Sequence, residues 1–314
     1  MFVSFIIPHK GRVDFLQQTI TSIANQVTSN VKVELILVTQ EPNFDASQII
    51  DLDKLEHKIL IESDKFTISK LRNIGVEVAS GDLLAFIDAD VDLKNDWVET
   101  LSHELISNDE YKIVSAMQIC PDKPTTMEKI RVALSNAELD QFVTFLPGRN
   151  LLLSKDTFYQ IGGFPENLLT CEDYYFTAKA SELGKLYYTS KTHYVHIGED
   201  KALAPMFKKE IWRAISNLRS VGGRKIPLRE IPSFIVPIGI VGLLLLSIVL
   251  LLLDFKLLAL GALVLGLMPA LVYVFRLYSL TEKRVSLFDC LSFYLVYFLA
   301  RTIGTVQGLV VNKK

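Results

Sequence analysis

From Ile231 to Leu253 the chain reads IPSFIVPIGIVGLLLLSIVLLLL, with no charged residue. After a short DFK break, a second uncharged run covers Leu257–Phe275. Each run is close to the ~20 residues with which a helix crosses a bilayer. A helix that is apolar on every face finds little to bury itself against in a soluble domain. Two membrane spans are therefore expected, at 231–253 and 257–275. A third run, 287–311, carries Asp289, Arg301 and Gln307. It is expected to span with its polar face against the hairpin; its other option is to lie in the interface. An arginine inside a membrane requires a partner or a route to the headgroups.

Charge sets the orientation. Lys208, Lys209, Arg213, Arg219, Arg224, Lys225 and Arg229 precede the first run, and Arg276, Lys283 and Arg284 follow the second. The positive-inside rule puts both flanks in the cytoplasm, together with everything N-terminal to them. The expectation is a multi-pass protein of the cell membrane with a cytoplasmic N-terminal domain. Within 207–225, Phe207, Ile211, Ile215 and Leu218 fall at helical spacing among Lys and Arg. That pattern predicts a basic amphipathic helix on an anionic membrane surface. The division expected is 1–205 as the globular domain, 206–229 as an interfacial helix and linker, and 230–314 as the membrane region.

A formal net charge of −2 gives no bulk attraction for nucleic acid, and none is expected as a partner. The 3 cysteines, Cys120, Cys171 and Cys290, form no CxxC pair, so a disulfide framework is not expected. The opening MFVSFIIPHKGR lacks the basic start and long apolar core of a secretory leader and is expected to belong to the fold.

Residues 1–205 alternate short apolar runs with helical periodicity. FVSFIIP, KVELILVTQ, KILIES and LLAFIDA read as buried strands. RVDFLQQTITSIANQ, a segment near 45–56 and ISKLRNIGVEVAS read as the intervening helices. Near-continuous apolar strands alternating with helices predict an α/β fold, a mostly parallel sheet covered on both faces. Such sheets bind ligands at the carboxyl ends of their strands, where strand order reverses.

The fourth strand ends in alternating acids, Asp88, Asp90 and Asp92. Two carboxylates separated by one residue can share a hard divalent cation such as Mg²⁺ or Mn²⁺. The same residues also suit a solvated turn, with Asp92 or Asn95 capping a helix that begins near Trp97. Farther on, Glu172–Asp173 opens CEDYYFTAKASELG, where first-turn acids are ordinary dipole chemistry and equally suit a general base.

Taken in order, SFIIPHKGRVDFLQQTITSI, LRNIGVEVASGDLLAFIDADV and GGF…CEDYYFTAKASELG resemble the family 2 glycosyltransferases, inverting nucleotide-sugar enzymes of the GT-A fold. The resemblance covers roughly residues 3–200. It implies a GT-A-like, Rossmann-related domain followed by the membrane helices. It implies a nucleotide-sugar donor, with a UDP-sugar expected first, and an acceptor hydroxyl on a lipid-linked sugar or glycan at the bilayer. By resemblance Asp173 is the base and Glu172 orients the acceptor. Asp90 binds the cation, Mn²⁺ or Mg²⁺, and Asp88 the ribose or the metal; His196 in HYVHIG falls where a third ligand stands. Arg72 either adds charge to the diphosphate or anchors an aspartate, and Asn73 caps or braces a loop. Pro8, His9, Lys10, Arg12 and Ala89 line the donor pocket.

One departure stands out. Where the family's second strand ends in aspartates that read the base, this chain has VTQEP, placing Thr39, Gln40 and Glu41 there. The QxxRW motif of processive synthases is absent. Two other readings stay open, a polyprenyl-phosphate sugar synthase and a non-catalytic membrane scaffold that keeps the fold.

Overall fold

The computed structural model describes residues 1–216, 218, 220 and 228–311. They fall into two compact units, Met1–Pro121 with Glu138–Gly198, and Asp122–Ala137 with Glu199 onward. The expected boundary near 205 placed 122–137 and 199–205 in the globular domain. By contact they group with the C-terminal helices.

In the first unit the chain runs β1 (Phe2–His9), α1 (Val13–Ala24), β2 (Lys32–Thr39), β3 (Glu56–Ile61), α2 (Ile68–Glu77), β4 (Leu83–Ile87), β5 (Val91–Leu93), α3 (Trp97–Ile106) and β6 (Tyr111–Ile119). After the excursion of α4 (Thr126–Ser135) into the second unit come β7 (Gln141–Val143), β8 (Asn150–Ser154), α5 (Lys155–Ile161), α6 (Glu172–Leu183) and β9 (Lys185–His196). The strands form a curled mixed sheet of order β3-β2-β1-β4-β8-β6-β9-β5, with β7 on β9. Its first four strands are mutually parallel, and β8 enters antiparallel to β4 and β6.

Side chains alternate across the sheet with the period of two that strand geometry imposes. Val3, Phe5, Ile7, Ala85 and Ile87 face α1 and α3, while Ile6, Leu84 and Phe86 face α2, α5 and α6. Trp97, wholly buried, seats α3 by packing on Phe5 and donating to Asn150. Both faces are covered, so β1 and β4 are apolar almost throughout. From β1 the chain first builds outward through β2 and β3, then crosses to the other side as β4. The strand order therefore reverses between β1 and β4, and their carboxyl ends, His9 and Asp88, open the cleft described below.

The helix expected near 45–56 is replaced by two single 3₁₀ turns, Ala46–Gln48 and Leu52–Lys54. Asp45 captures both the backbone N–H and the hydroxyl of Ser47, and Asp51 sits left-handed at φ 69. Each device offers the backbone an alternative to continued helix.

In the second unit, α7 (Leu203–Ala214), α8 (Ile231–Leu252), α9 (Lys256–Leu280) and α10 (Leu287–Val311) join α4 around Met127, Ile130, Met206, Ile240, Val274, Phe293 and Phe298. α8, α9 and α10 are long and apolar enough to cross a membrane, with mean hydropathies of 3.0, 2.4 and 1.3. α9 runs through Arg276 to Leu280, beyond the expected 275.

The basic amphipathic helix expected over 207–225 is α7, which stops at Ala214. Its buried face is Met206, Glu210 and Ala214, one position off the expected apolar stripe, because Glu210 is drawn inward by Arg131 at 2.7 Å and Arg213 at 2.6 Å. Arg219, Arg224 and Lys225 lie outside the described residues. The intramembrane-type Arg301 finds Glu210 at 3.8 Å.

Candidate active site

The cleft opens where the strand order reverses. One wall is the β1–α1 turn, Pro8 to Arg12, and the other is the β4–β5 turn, Asp88-Ala89-Asp90, with Ile68 of α2 between them. The first wall is tied down from β2. His9 Nδ1 lies 2.9 Å from the Thr39 hydroxyl, and Gly11 donates its N–H to Glu41 at 2.7 Å. Burial pushes the His9 imidazole below its ordinary pKa, more than Glu41 raises it, so the ring is neutral near pH 7.

The VTQEP departure acquires a structural account. Thr39 is wholly buried, and the Gln40 amide donates to the carbonyls of Ser63 and Phe66, pinning the loop after β3. Lys10 is exposed and reaches the carbonyl of Asp64 at 3.4 Å.

On the second wall, β5 pairs antiparallel with β9 so that Val91 stands opposite His196. This register puts His196 Nε2 3.3 Å from Asp90 Oδ1, while Arg12 holds Asp90 Oδ2 at 2.8 Å. Asp88 is held by Arg72 at 2.8 Å. Two carboxylates and an imidazole are a donor set that suits Mn²⁺ or Mg²⁺. Among the described residues no three such ligands are gathered closely enough to form a ready cation site. Arg12 occupies one Asp90 oxygen and Arg72 holds Asp88, so the pair of cation-ligand types that the structure brings together is Asp90 with His196.

Arg72, on the inward face of α2, is the hub. Its side chain is 2% exposed; one nitrogen donates to Glu172 at 2.9 Å and the other to Asp88 at 2.8 Å. The guanidinium also lies 5.0 Å from the Phe164 ring. Of the two roles considered for Arg72, bracing an aspartate is the one its contacts display. The adjacent Asn73 grips the GGFPE loop, accepting from Phe164 N–H at 2.9 Å and donating to the Phe164 carbonyl at 3.0 Å. Successive residues of one helix thus hold the strand-end acids and the glycine loop.

Glu172 and Asp173 form the first turn of α6, entered through Cys171 in a left-handed conformation at φ 63. Asp173 accepts from Tyr174 N–H at 2.9 Å and Gly148 N–H at 3.3 Å. Burial nevertheless dominates and raises its pKa. Burial, then the neighbouring Asp173 charge, push Glu172 up to about 7 against the pull of Arg72. Two adjacent carboxyls shielded from water and tuned upward are placed to exchange protons.

Three site residues went unremarked in the sequence. Gly148 offers its N–H to Asp173 and its carbonyl to Arg72. Arg149 binds Tyr194 and Gln118 at 2.8 and 3.1 Å. Gly198 lies so close to Asp90 that a Cβ there would overlap the carboxylate. The Pro-Gly of FLPGRN and the glycine two residues after His196 were the signals available. His193 sits apart from this cleft, beside Asp92 and Asp96.

The family model for glycosyl transferase family 2 matches residues 4–164, more than half of the chain. This chain belongs to glycosyl transferase family 2. Its fold is GT-A-like. Among curated relatives of this family 2 enzyme, glycosyltransferase AglE of Haloferax volcanii is 26% identical over 193 residues, covering 58% of this chain and 62% of AglE. The glucosyl-dolichyl phosphate glucuronosyltransferase of the same organism is 25% identical over 167 residues, covering 50% and 53%. The chain thus spans less than two thirds of either relative. Among solved structures, the mannosyltransferase PcManGT from Pyrobaculum calidifontis, in complex with GDP-Man and Mn²⁺, superimposes with a TM-score of 0.59 at 14% identity, covering 99% of this chain and 86% of that one.

Proposed function

We propose that this family 2 enzyme transfers a sugar, with inversion, from a nucleoside diphosphate to a hydroxyl of a lipid-linked sugar or glycan, at the cytoplasmic face of the membrane that anchors it. The observation that carries the reading is the Arg72 guanidinium, which joins Asp88 of the strand-end acids to Glu172 of the acid pair. Donor-side and acceptor-side carboxylates thereby stand on the two arms of one buried cation.

The roles follow from the environments. The acceptor hydroxyl gives its proton to Asp173, whose burial makes it a stronger base than an exposed aspartate. Glu172, fixed by Arg72, orients that hydroxyl. Attack on the face opposite the diphosphate, in one displacement, inverts the anomeric centre. Asp90, Asp88 and His196 would hold Mn²⁺ or Mg²⁺, which when bound supplies positive charge against the departing diphosphate. Arg12 and Lys10 bring further cations to the same mouth. Pro8, His9, Thr39, Gln40, Glu41 and Ala89 shape the nucleoside side, and Asn73 keeps the acceptor loop in place.

A UDP-sugar is the first donor to test, and GDP-mannose the second, since the structural neighbour is named with GDP-Man. A lipid-linked sugar as acceptor is supported by the relative whose name specifies glucosyl-dolichyl phosphate.

The test is a panel of nucleotide sugars with Mn²⁺, comparing the native enzyme with Asp173→Asn. Transfer to a sugar hydroxyl falls by about 10²–10⁴ in the variant while donor binding persists. Undiminished transfer by Asp173→Asn to polyprenyl phosphate would replace this reading with the phosphate-acceptor synthase. Absence of nucleotide-sugar binding would leave the scaffold.

A further inference from the structure

The third apolar helix presents a conflict that its length and hydropathy conceal. α10 packs along α7 in parallel. Gly304 and Gly308 bring their backbone so near the carbonyls of Ile211 and Ile215 that no side chain fits between, and Arg301 faces Glu210 at 3.8 Å. The second half of α10, from Arg301 onward, is thus committed to α7. Farther back, Phe293 of α10 lies 5.7 Å from the Arg131 guanidinium of α4.

Both partners are tethered to one side of the bilayer. α4 is joined at each end to the sheet-bearing unit, and α7 follows β9 after a few residues and precedes α8. α7 also bears Lys208, Lys209, Glu210 and Arg213, a density of charge that membrane-spanning segments rarely carry into hydrocarbon. If α8 and α9 cross as a hairpin, α9 returns the chain to that same side and α10 begins there. A crossing α10 would then carry Arg301–Val311 to the far leaflet, away from α7. Crossing and pairing are incompatible.

We infer that α10 does not cross the membrane: it lies along the bilayer surface with α7, embedded in the leaflet where α8 begins and α9 ends, and the enzyme has two spans rather than three. The surface that meets the lipid is an apolar stripe along α10. Phe288, Leu295, Leu299, Val306 and Val310 are all exposed and follow one side of the helix. The opposite side holds the polar residues Arg301 and Thr305 with the two glycines, half-buried or buried against the protein. The chemistry is that of a leaflet's acyl region meeting an apolar stripe, with a charged inner face satisfied by α4 and α7. The lower mean hydropathy of α10, 1.3 against 3.0 and 2.4, agrees with a helix half of which never faces hydrocarbon.

The inference rests on the hairpin crossing, and the test separates the two. The full-length chain is given one epitope tag after Lys314 and, in a second version, one between Asp254 and Phe255. Each is digested with protease in sealed vesicles of known orientation. The result expected is that the tag after Lys314 is cut whenever the catalytic unit is cut, while the tag at Asp254 is protected until detergent is added. A tag after Lys314 that is protected together with the one at Asp254 overturns the inference and establishes a third crossing. Cutting of both tags with the catalytic unit overturns it differently, by showing that the hairpin does not cross. Sugar transfer by the same preparations reports on the catalytic reading independently of either result.

Discussion

Arg72 and Glu172 are one hundred positions apart in sequence and 2.9 Å apart in space, and the other arm of the same guanidinium reaches Asp88 at 2.8 Å. A cation so buried is tolerable only while both acids remain. Arg72→Ala strands Glu172 and is expected to cost about 3–5 kcal/mol of stability, the usual penalty for breaking a buried pair. Arg72→Lys keeps the charge and loses the fork, leaving one acid without its hydrogen bond at about 1.5–3 kcal/mol. Denaturant unfolding of the detergent-solubilised protein measures both. Native stability in the lysine variant would show that the two contacts are not shared by one planar group.

The raised carboxyls predict opposite pH trends for stability and activity. Glu172 titrates at about 7 in the fold against 4.5 as its ordinary value, through burial first and the Asp173 charge second. Between those values the folded protein holds a proton that the unfolded chain has released. The stabilising contribution is therefore complete below about 4.5 and disappears as pH rises through 7. Transfer moves the other way, because Asp173 must be ionised to act as base, and its burial places the acid limb of kcat/KM above the ordinary aspartate range. Asp173→Asn removes one charge and shifts the stability transition to lower pH. Melting temperature measured from pH 4 to 9 in both proteins checks the sign.

The central strands were legible because burial on both faces leaves an apolar signature that composition alone reveals. FVSFIIP, KVELILVTQ and LLAFIDA became β1, β2 and β4, the second strand ending at Thr39 and the fourth at Ile87, short of the ends expected. β8 was not legible. NLLLS carries no sign of direction, and its antiparallel insertion between β4 and β6 is decided by the connections around it. The segment near 45–56 misled because its apolar spacing was helical, while Asp45 and the left-handed Asp51 made turns. The acids could be named from their order along the chain. That one arginine would bind two of the sets could not, because the contact spans one hundred residues and no local pattern records it.

Arg12 is predicted to compete with the metal. Its guanidinium takes Asp90 Oδ2 at 2.8 Å, and its exposed side chain is free to move outward. Arg12→Ala should lower the Mn²⁺ concentration that half-saturates binding several-fold, while Asp90→Ala should abolish metal-stimulated transfer. Calorimetric titration with Mn²⁺ alone measures the first, and transfer before and after EDTA the second. Full activity of the native enzyme in EDTA would rule out the metal role given to Asp90.

Gly198 offers a way to disturb Asp90 without touching a charge. β5 and β9 pair so that Ile197 donates its N–H to the Asp90 carbonyl at 2.8 Å, which brings the next residue against the Asp90 carboxylate. A Cβ at 198 would overlap that carboxylate and approach Arg12 at 3.1 Å. Gly198→Ala must therefore turn Asp90 away from His196, since the backbone is fixed by the strand pairing. The expected result is a folded protein whose melting temperature stays within a few degrees of native and whose Mn²⁺ response weakens by about tenfold or more, one lost ligand at roughly 1.4 kcal/mol or above. The buried acids at Glu172–Asp173 lie outside this contact, so the acid limb of the pH profile should keep its native position. A variant that loses the acid limb along with the metal response would mean that Gly198 supports the whole cleft, and that Asp90 was not the group displaced.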